Sequence, residues 1–321
     1  MPKVSVIVPI YGVEKYIENC LHSLFKQTYS NIQYVFINDC TKDRSIEVLE
    51  SIMSIYPERE KNCIIINHNI NKGLAAARKT GINNSNGEYI MHVDSDDYLE
   101  LDAVERLINA ARIANADIVM GGSFVVSGKT KVQSPCIPKL SKEELINGML
   151  TRKILPSIWG KLYSRYLYEG NKDVQHIEGL DYGEDYVTVP RLIYYARKVA
   201  YVEAPLYNYV IYNSSSYTSN FTSKSMNNLI QADNKLFEFF NGIVSDDILI
   251  MSKLRTELYM LKCCNISLFE NIKNIYYELS MKNKSLLPIK DRVLLFLVNN
   301  DLYRIAIIYI KAGISLVKYL R

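Results

Sequence analysis

Three carboxylates, Asp94, Asp96 and Asp97, fall within four positions directly after the apolar run Tyr89-Ile90-Met91-His92-Val93. A short apolar run ending in acids reads as a buried strand whose C-terminal end opens into a crevice, the edge where open α/β sheets bind ligands. Asp94 and Asp96 are two apart, so in extended geometry they share a side. Two carboxylates on one side resist ionising together. A hard divalent cation removes the conflict, since Mg²⁺ or Mn²⁺ takes oxygen ligands and accepts one or two carboxylates plus substrate phosphates. The chemistry this spacing points to is a metal–diphosphate site; the alternative is a solvated acidic turn capping the next helix. A second acidic pair, Glu184-Asp185, follows Gly183. Spacing alone reads it as the first turn of a helix, where the dipole favours acids.

The elements that must position these groups come in regular order. Val4-Ser5-Val6-Ile7-Val8-Pro9-Ile10 is apolar and β-branched, a buried parallel strand. Ile17, Cys20, Leu21, Leu24 and Phe25 then recur on one helical face. Ile32 to Ile37 is a second strand, with Asp43 expected as N-cap of a helix carrying Ile46, Leu49, Ile52 and Met53. Cys63 to Ile66 is a third strand, Gly73 opens a helix containing Arg78, and Tyr89 to Val93 is the fourth strand. This β-α alternation predicts a Rossmann-like, mostly parallel sheet flanked by helices. The loops after strands one, two and four then share an edge, bringing together Tyr11, Asp39, Asp43, Asp94 and Asp96.

Beyond a helix from Leu101 to Ala114 and a strand at Asp117 to Gly121, the alternation stops. Ser123 to Pro138 reads as a hairpin or a mobile loop, Trp159 to Tyr163 as an aromatic cluster, Tyr201-Val202 as a last strand, and Tyr207 to Tyr217 as a segment rich in Tyr, Asn and Ser. His92 is expected as a packed core histidine, Arg78 could add positive charge to the site although an Arg in a helix's first turns is more often a solvated or salt-bridged surface residue, and His176 has no assigned role. From Ser223 the pattern is helical, giving expected domains at 1–222 and 223–321.

The chain has 321 residues, 48% of them hydrophobic, with a net charge of +4, too small to imply nucleic acid. The six cysteines form no CxxC pair or Cys/His cluster, and the N-terminus has no signal-like apolar region, so a reducing cytoplasmic setting is expected. No apolar run approaches the roughly 20 residues that span a bilayer. Residues 282–321 carry eight basic side chains against two acidic ones, interleaved with apolar runs. Such a helix can lie on an anionic membrane, which would place the protein peripherally on the cytoplasmic face of the inner membrane. The other use of such a face is packing on the catalytic domain or on a second subunit.

Several stretches together resemble the inverting family 2 glycosyltransferases with the GT-A fold. They are Ser5-Val6-Ile7-Val8-Pro9-Ile10-Tyr11, Asn38-Asp39-Cys40-Thr41-Lys42-Asp43, Gly73-Leu74-Ala75-Ala76-Ala77-Arg78, Gly87-Glu88-Tyr89 leading into Asp94-Ser95-Asp96-Asp97, and Gly183-Glu184-Asp185. The resemblance covers the first 220 residues or so and implies a GT-A catalytic domain with a helical C-terminal extension. It implies a nucleotide-sugar site, with a UDP-sugar as donor, formed by Pro9, Tyr11, Glu14, Asp39, Arg78, Asp94 and Ser95. Tyr11 would lie against the base, and Asp39 would accept from uracil N3–H. It implies Mn²⁺ or Mg²⁺ on Asp96 and Asp94, Asp185 as catalytic base with Glu184 beside it, and Trp159, Lys161 and Tyr163 on the acceptor side. The acceptor implied is a glycan or lipid-linked glycan of capsule, O-chain or exopolysaccharide synthesis. The sequence departs from the family in having Asn38 where a second Asp is frequent, Cys40 where Gly is usual, and Val210 where a basic residue often follows the tyrosines.

Two rival functions are weighed. A metal-dependent nucleotidyltransferase would carry a basic Gly-rich loop after the first strand, whereas Pro9-Ile10-Tyr11-Gly12-Val13-Glu14 has one Gly and an acid. A non-catalytic sugar-nucleotide-binding subunit would not need Glu184-Asp185.

Overall fold

The computed structural model describes residues 1–135, 139–211 and 221–319. It divides into two compact units, one of residues 1–146 with 156–213, the other of residues 147–155 with 214–321.

The first unit opens with β1 (Val4–Ile10), α1 (Ile17–Phe25), β2 (Ile32–Asn38), α2 (Ser45–Met53), α3 (Pro57–Glu60), β3 (Cys63–Asn67), α4 (Leu74–Asn83) and β4 (Tyr89–His92). β5 (Tyr98–Leu99), α5 (Ala103–Ala114), β6 (Ile118–Ser127) and β7 (Thr130–Gln133) follow. Then come α6 (Lys142–Leu150), whose residues from 147 belong to the second unit, β8 (Lys161–Ser164), α7 (Tyr166–Glu169), α8 (Glu184–Tyr195) and β9 (Val199–Val210). The sheet order is β3-β2-β1-β4-β8-β6-β9-β5, with β7 paired to β6.

The half from β3 to β4 is wholly parallel. All seven residues of β1 are buried, which is why its sequence is a continuous apolar run and not an alternating one. The α1 face forms as its spacing predicts, with Ile17, Cys20, Leu21, Leu24 and Phe25 in the core. Past β4 the sheet mixes directions: β8 is antiparallel to β4 and β6, and β6 is parallel to β9. The expected short strand at Tyr201-Val202 is part of the twelve-residue β9. β6 and β7 make the expected hairpin, while Cys136 to Pro138 and residues 212–217 lie outside the described residues.

The second unit holds α9 (Ser223–Phe240), α10 (Asp246–Cys263), α11 (Phe269–Asn283), α12 (Ile289–Asn299) and α13 (Tyr303–Tyr319). Among the described residues no helix is long and apolar enough to cross a membrane.

One loop accounts for the departures at positions 38 and 40. Cys40 has φ +59°, so the left-handed turn is kept without glycine. Asn38 holds that turn from within, its Oδ1 accepting the Thr41 N–H and its Nδ2 donating to Asn67.

Candidate functional site

The β4 strand delivers Asp94 to the sheet edge, but the chain does not stay extended beyond it. Asp97 N–H donates to the Asp94 carbonyl at 3.0 Å, closing a tight turn through Ser95 and Asp96. Asp94 and Asp96 therefore do not lie on one side of an extended strand, the arrangement their spacing predicts. The turn itself crowds the three acids. Burial, then the neighbouring Asp94 charge, pushes the Asp96 carboxyl up to about 6. Burial and the same neighbours hold Asp97 well above the carboxylate range.

Asp97 faces inward, not toward a ligand. Its oxygens accept from the Tyr207 hydroxyl at 2.8 Å and from Val210 N–H at 2.7 Å, tying the acidic turn to β9. The Tyr207 hydroxyl also accepts from Asp94 N–H. Nothing in the spacing of the sequence links Tyr207 to residues 94–97; the long β9 pairing with β6 and β5 brings it there. Ser95 is buried in the turn.

Arg78, expected at the surface, is only 1% exposed. Its Nη2 donates to Asp94 Oδ1 at 2.7 Å and its Nε to Glu184 Oε1 at 2.9 Å. It thus joins the end of β4 to the start of α8 across 106 residues of sequence between Arg78 and Glu184. Gly73, with φ +89°, lets α4 begin close enough to make this reach. A Cβ there would lie 2.3 Å from Asp181 Oδ1, the oxygen that accepts Ala75 N–H in the first turn. Asp181 went unnoticed in the sequence because nothing marks it as a cap for a helix a hundred residues earlier.

Glu184 and Asp185 are the first two residues of α8, so the helix-turn reading of this pair holds geometrically. Glu184 is buried and Asp185 partly so. Asp185 Oδ2 accepts from Ile158 N–H at 3.2 Å, and its Oδ1 has no protein partner. Burial, then the Glu184 charge, raises its pKa well above the ordinary carboxylate value. His176, left without a role above, sits with Nδ1 2.8 Å from Glu184 Oε2. Burial and then Arg78 push His176 down to about 3, so the imidazole is neutral. His92 is fully buried beside Tyr168 and His176, a core histidine as expected.

At the far side of the edge the first two βα loops are stitched together. Gly12, Val13 and Glu14 donate their N–H groups to Thr41, Ser45 and Asp43 side chains. Asp43 does not act as the N-cap of α2, whose cap is Arg44. It accepts instead from Glu14 N–H, Thr41, and the Ser45 N–H and hydroxyl. Burial works against its charge, but these donors outweigh it and hold the carboxyl below its usual value. The Glu14 carboxylate returns the contact by accepting Arg44 N–H, so its side chain is used in holding loops. Above this base the Tyr11 ring is 52% exposed while Pro9 is buried in β1.

Asp39 is 3% exposed and already hydrogen-bonded. Oδ1 meets Lys72 N–H at 2.8 Å and His68 Nδ1 at 2.7 Å; Oδ2 accepts Gly73 N–H at 2.8 Å. The carboxylate therefore organises the start of α4, and Oδ2 keeps one lone pair.

Of the three acceptor-side residues, Trp159 alone keeps accessible surface. Its indole stacks on Tyr207 and Tyr209 with centroids 4.5 and 5.5 Å away. Tyr163 is fully buried, its hydroxyl donating to the Ile158 carbonyl. Lys161 is buried too, with Nζ donating to Ser157 Oγ at 2.9 Å; burial lowers its pKa to about 8 against the pull of Asp185. Both side chains lie under the surface they were expected to form.

Among the described residues no three His, Cys, Asp or Glu side chains are grouped to hold a metal. The donors at hand are Asp96, buried and crowded by the Asp94 charge, and Asp94, which spends one oxygen on Arg78. That set fits Mg²⁺ or Mn²⁺ held by one or two carboxylates with the remaining positions taken by substrate phosphates and water.

Comparison with known proteins places this site in context. Residues 5–170 match the family model "Glycosyl transferase family 2". The putative glycosyltransferase EpsH of Bacillus subtilis is 34% identical over 220 residues, 67% of this chain and 62% of that protein. The glycosyltransferase GlyA of Streptococcus pneumoniae is 33% identical over 243 residues, 72% of this chain but 33% of its own length. The chain thus spans less than two thirds of these relatives. In structure it resembles S. aureus TarS residues 1–349 in complex with UDP-GlcNAc, with a TM-score of 0.65 and 19% identity over 97% of this chain and 92% of that one.

Proposed function

The chain belongs to glycosyl transferase family 2, and we propose that it moves a sugar from a UDP-sugar to a hydroxyl of a glycan or lipid-linked glycan, inverting the anomeric carbon. The setting we propose is synthesis of a cell-surface polysaccharide at the cytoplasmic face of the membrane. The observation that carries this reading is the buried Arg78, which holds a donor-side acid, Asp94, and the Glu184-Asp185 pair in one array.

The parts assign themselves roles by their chemistry. The exposed Tyr11 ring stacks on the base beside Pro9, and the spare lone pair of Asp39 Oδ2 accepts from uracil N3–H. Glu14 and Ser95 shape the two loops that border the nucleotide. Asp96 and Asp94 would hold Mn²⁺ or Mg²⁺, which would neutralise charge on the departing diphosphate. Arg78 contributes fixed positive charge on the same side. Asp185, partly exposed at the start of α8 and with a raised pKa, takes the proton of the attacking hydroxyl. Attack opposite the leaving group inverts the centre in one displacement. Trp159 offers an aromatic face to the acceptor, with Lys161 and Tyr163 supporting its loop from below. The uridine assignment also draws support from the UDP-GlcNAc bound in the TarS structure.

The test is proton NMR of the product made from α-linked UDP-glucose, UDP-galactose or UDP-GlcNAc with a glycan acceptor. A β-configured anomeric proton is expected; an α-configured product contradicts the single displacement.

A membrane role for the second unit rests on its surface. On α12 Ile289, Val293 and Phe296 are exposed, the first 76% and the last 62%, and on α13 Ile305 and Ile308 are exposed. Lys282, Lys284, Lys290, Arg292, Arg304 and Lys311 are exposed around them. The nearby acids are already neutralised: Asp291 is buried between Arg255 and Lys262, and Asp301 is paired with Lys273. The described part of the tail therefore presents apolar and basic groups together; Arg321 lies outside the described residues. Ile289→Asp with Phe296→Asp is expected to release the protein from vesicles containing phosphatidylglycerol at low salt, read by co-sedimentation. Undiminished binding would remove the membrane role. Deleting the helices is the poorer test, because Leu294, Leu295 and Val298 of α12 are buried.

A further inference from the structure

We propose that His176 and Glu184 are positioning residues: through Arg78 they fix Asp94 with one oxygen held and the other free, and they hold the first turn of α8 so that Asp185 faces the acceptor hydroxyl. The inference rests on the catalytic reading above and gives the acidic pair two unlike roles. Glu184 is 3% exposed and bonded to Arg78, whereas Asp185 is partly exposed, its Oδ2 accepting Ile158 N–H and its Oδ1 enclosed without a hydrogen-bond partner.

The chain of contacts is short and continuous. His176 Nδ1 lies 2.8 Å from Glu184 Oε2, Glu184 Oε1 accepts Arg78 Nε at 2.9 Å, and Arg78 Nη2 donates to Asp94 Oδ1 at 2.7 Å. Every side chain in it except Asp94 is almost wholly enclosed. In so dry a place the guanidinium must keep both carboxylates near it, so each acid's orientation constrains the other. The His176 approach to Glu184 is close but oblique, and neither atom completes a hydrogen bond by geometry. The imidazole there acts as a steric stop, selecting the Glu184 rotamer that faces Arg78. Arg78 Nη1 is also without a protein partner, so a small reorientation of the guanidinium is open to it when Asp94 engages a donor.

Outer partners of this kind cost 10–100-fold when removed, by the general experience with groups that orient ligating side chains. The experiment measures UDP release from UDP-glucose, UDP-galactose and UDP-GlcNAc by wild type, His176→Ala, His176→Asn and Glu184→Gln, together with calorimetric UDP affinity in Mn²⁺. His176→Ala is expected to lower kcat by about 10-fold and Glu184→Gln by up to about 100-fold, with the Kd for UDP in Mn²⁺ raised in the same order, because Asp94 is one of the two acids assigned to the metal. His176→Asn, whose planar amide refills the space at Nδ1, is expected to recover most of the kcat. Unchanged kcat in His176→Ala, or equal losses in the Ala and Asn variants accompanied by a falling Tm, would overturn the positioning role and leave only packing. A wild type that neither releases nor binds UDP would overturn the catalytic reading and this inference with it. That outcome differs from the others because it appears before any substitution is made.

Discussion

Asp185→Asn is expected to lower kcat by about 10²–10⁴-fold, the range a general base contributes, while leaving UDP affinity intact. Asparagine can still accept Ile158 N–H through its carbonyl, so the loop before β8 stays in place. What it loses is the capacity to take a proton. The wild type should show an acidic limb in its pH–rate profile placed above the ordinary carboxylate range, since burial and the Glu184 charge raise the pKa of Asp185. Activity rises with pH as the carboxylate forms. Stability runs the other way. A carboxyl with a raised folded pKa binds its proton more tightly folded than unfolded, so its contribution is full below the unfolded pKa and is lost as pH rises through the folded one. Asp185→Asn should therefore have a higher Tm than wild type at neutral pH, and the difference should vanish in acid. An unaltered kcat, or a Tm below wild type at neutral pH, would remove Asp185 from the role of a strained base.

Arg78→Met should destabilise the fold by about 3–5 kcal/mol, the cost of removing one partner from a buried ion pair. The guanidinium is enclosed, and it faces Asp94 and Glu184 at 2.7 and 2.9 Å. Methionine fills much of the volume but leaves Glu184 buried without a cation. Lysine keeps the charge but cannot span two carboxylates through separate N–H groups of one planar fork. Arg78→Lys should thus fall between the two in urea unfolding. A loss below about 1 kcal/mol for Arg78→Met, the value for exposed pairs, would mean that Arg78 is solvated, as its place in a helix's first turns suggested.

The parallel half of the sheet was legible because each element states its own geometry locally. The continuous apolar run of β1 and the one-sided face of α1 need no knowledge of distant chain, and both form as read. The sheet edge was legible for the same reason, since loops after parallel strands must share it. What was not legible are contacts made by tertiary closure. Tyr207 reaches Asp97 over 110 positions, Asp181 caps a helix 106 positions before it, and Arg78 finds Glu184 across the same span. No periodicity encodes these pairings. Arg78 read as a surface residue because a lone arginine on a helix is cheap only in water; two acids from elsewhere reverse that preference. Asp43 and Glu14 mislead for a related reason: acids in adjacent loops serve each other's backbone N–H groups, which spacing within one loop does not show. Lys161 and Tyr163 share one face of β8, where Tyr163 packs against His92 and Tyr168 and Lys161 folds back on Ser157.

The central claim is that the turn after β4 holds a metal–nucleotide. Calorimetric titration of UDP into the purified protein, with and without Mn²⁺ and repeated on Asp96→Ala, tests it most directly. UDP binding that requires Mn²⁺ and disappears in Asp96→Ala is the predicted result. Metal-dependent binding of GDP or dTDP in place of UDP would keep the site and overturn the pairing of Asp39 with uracil. No nucleoside diphosphate binding in any condition would contradict the account at its base.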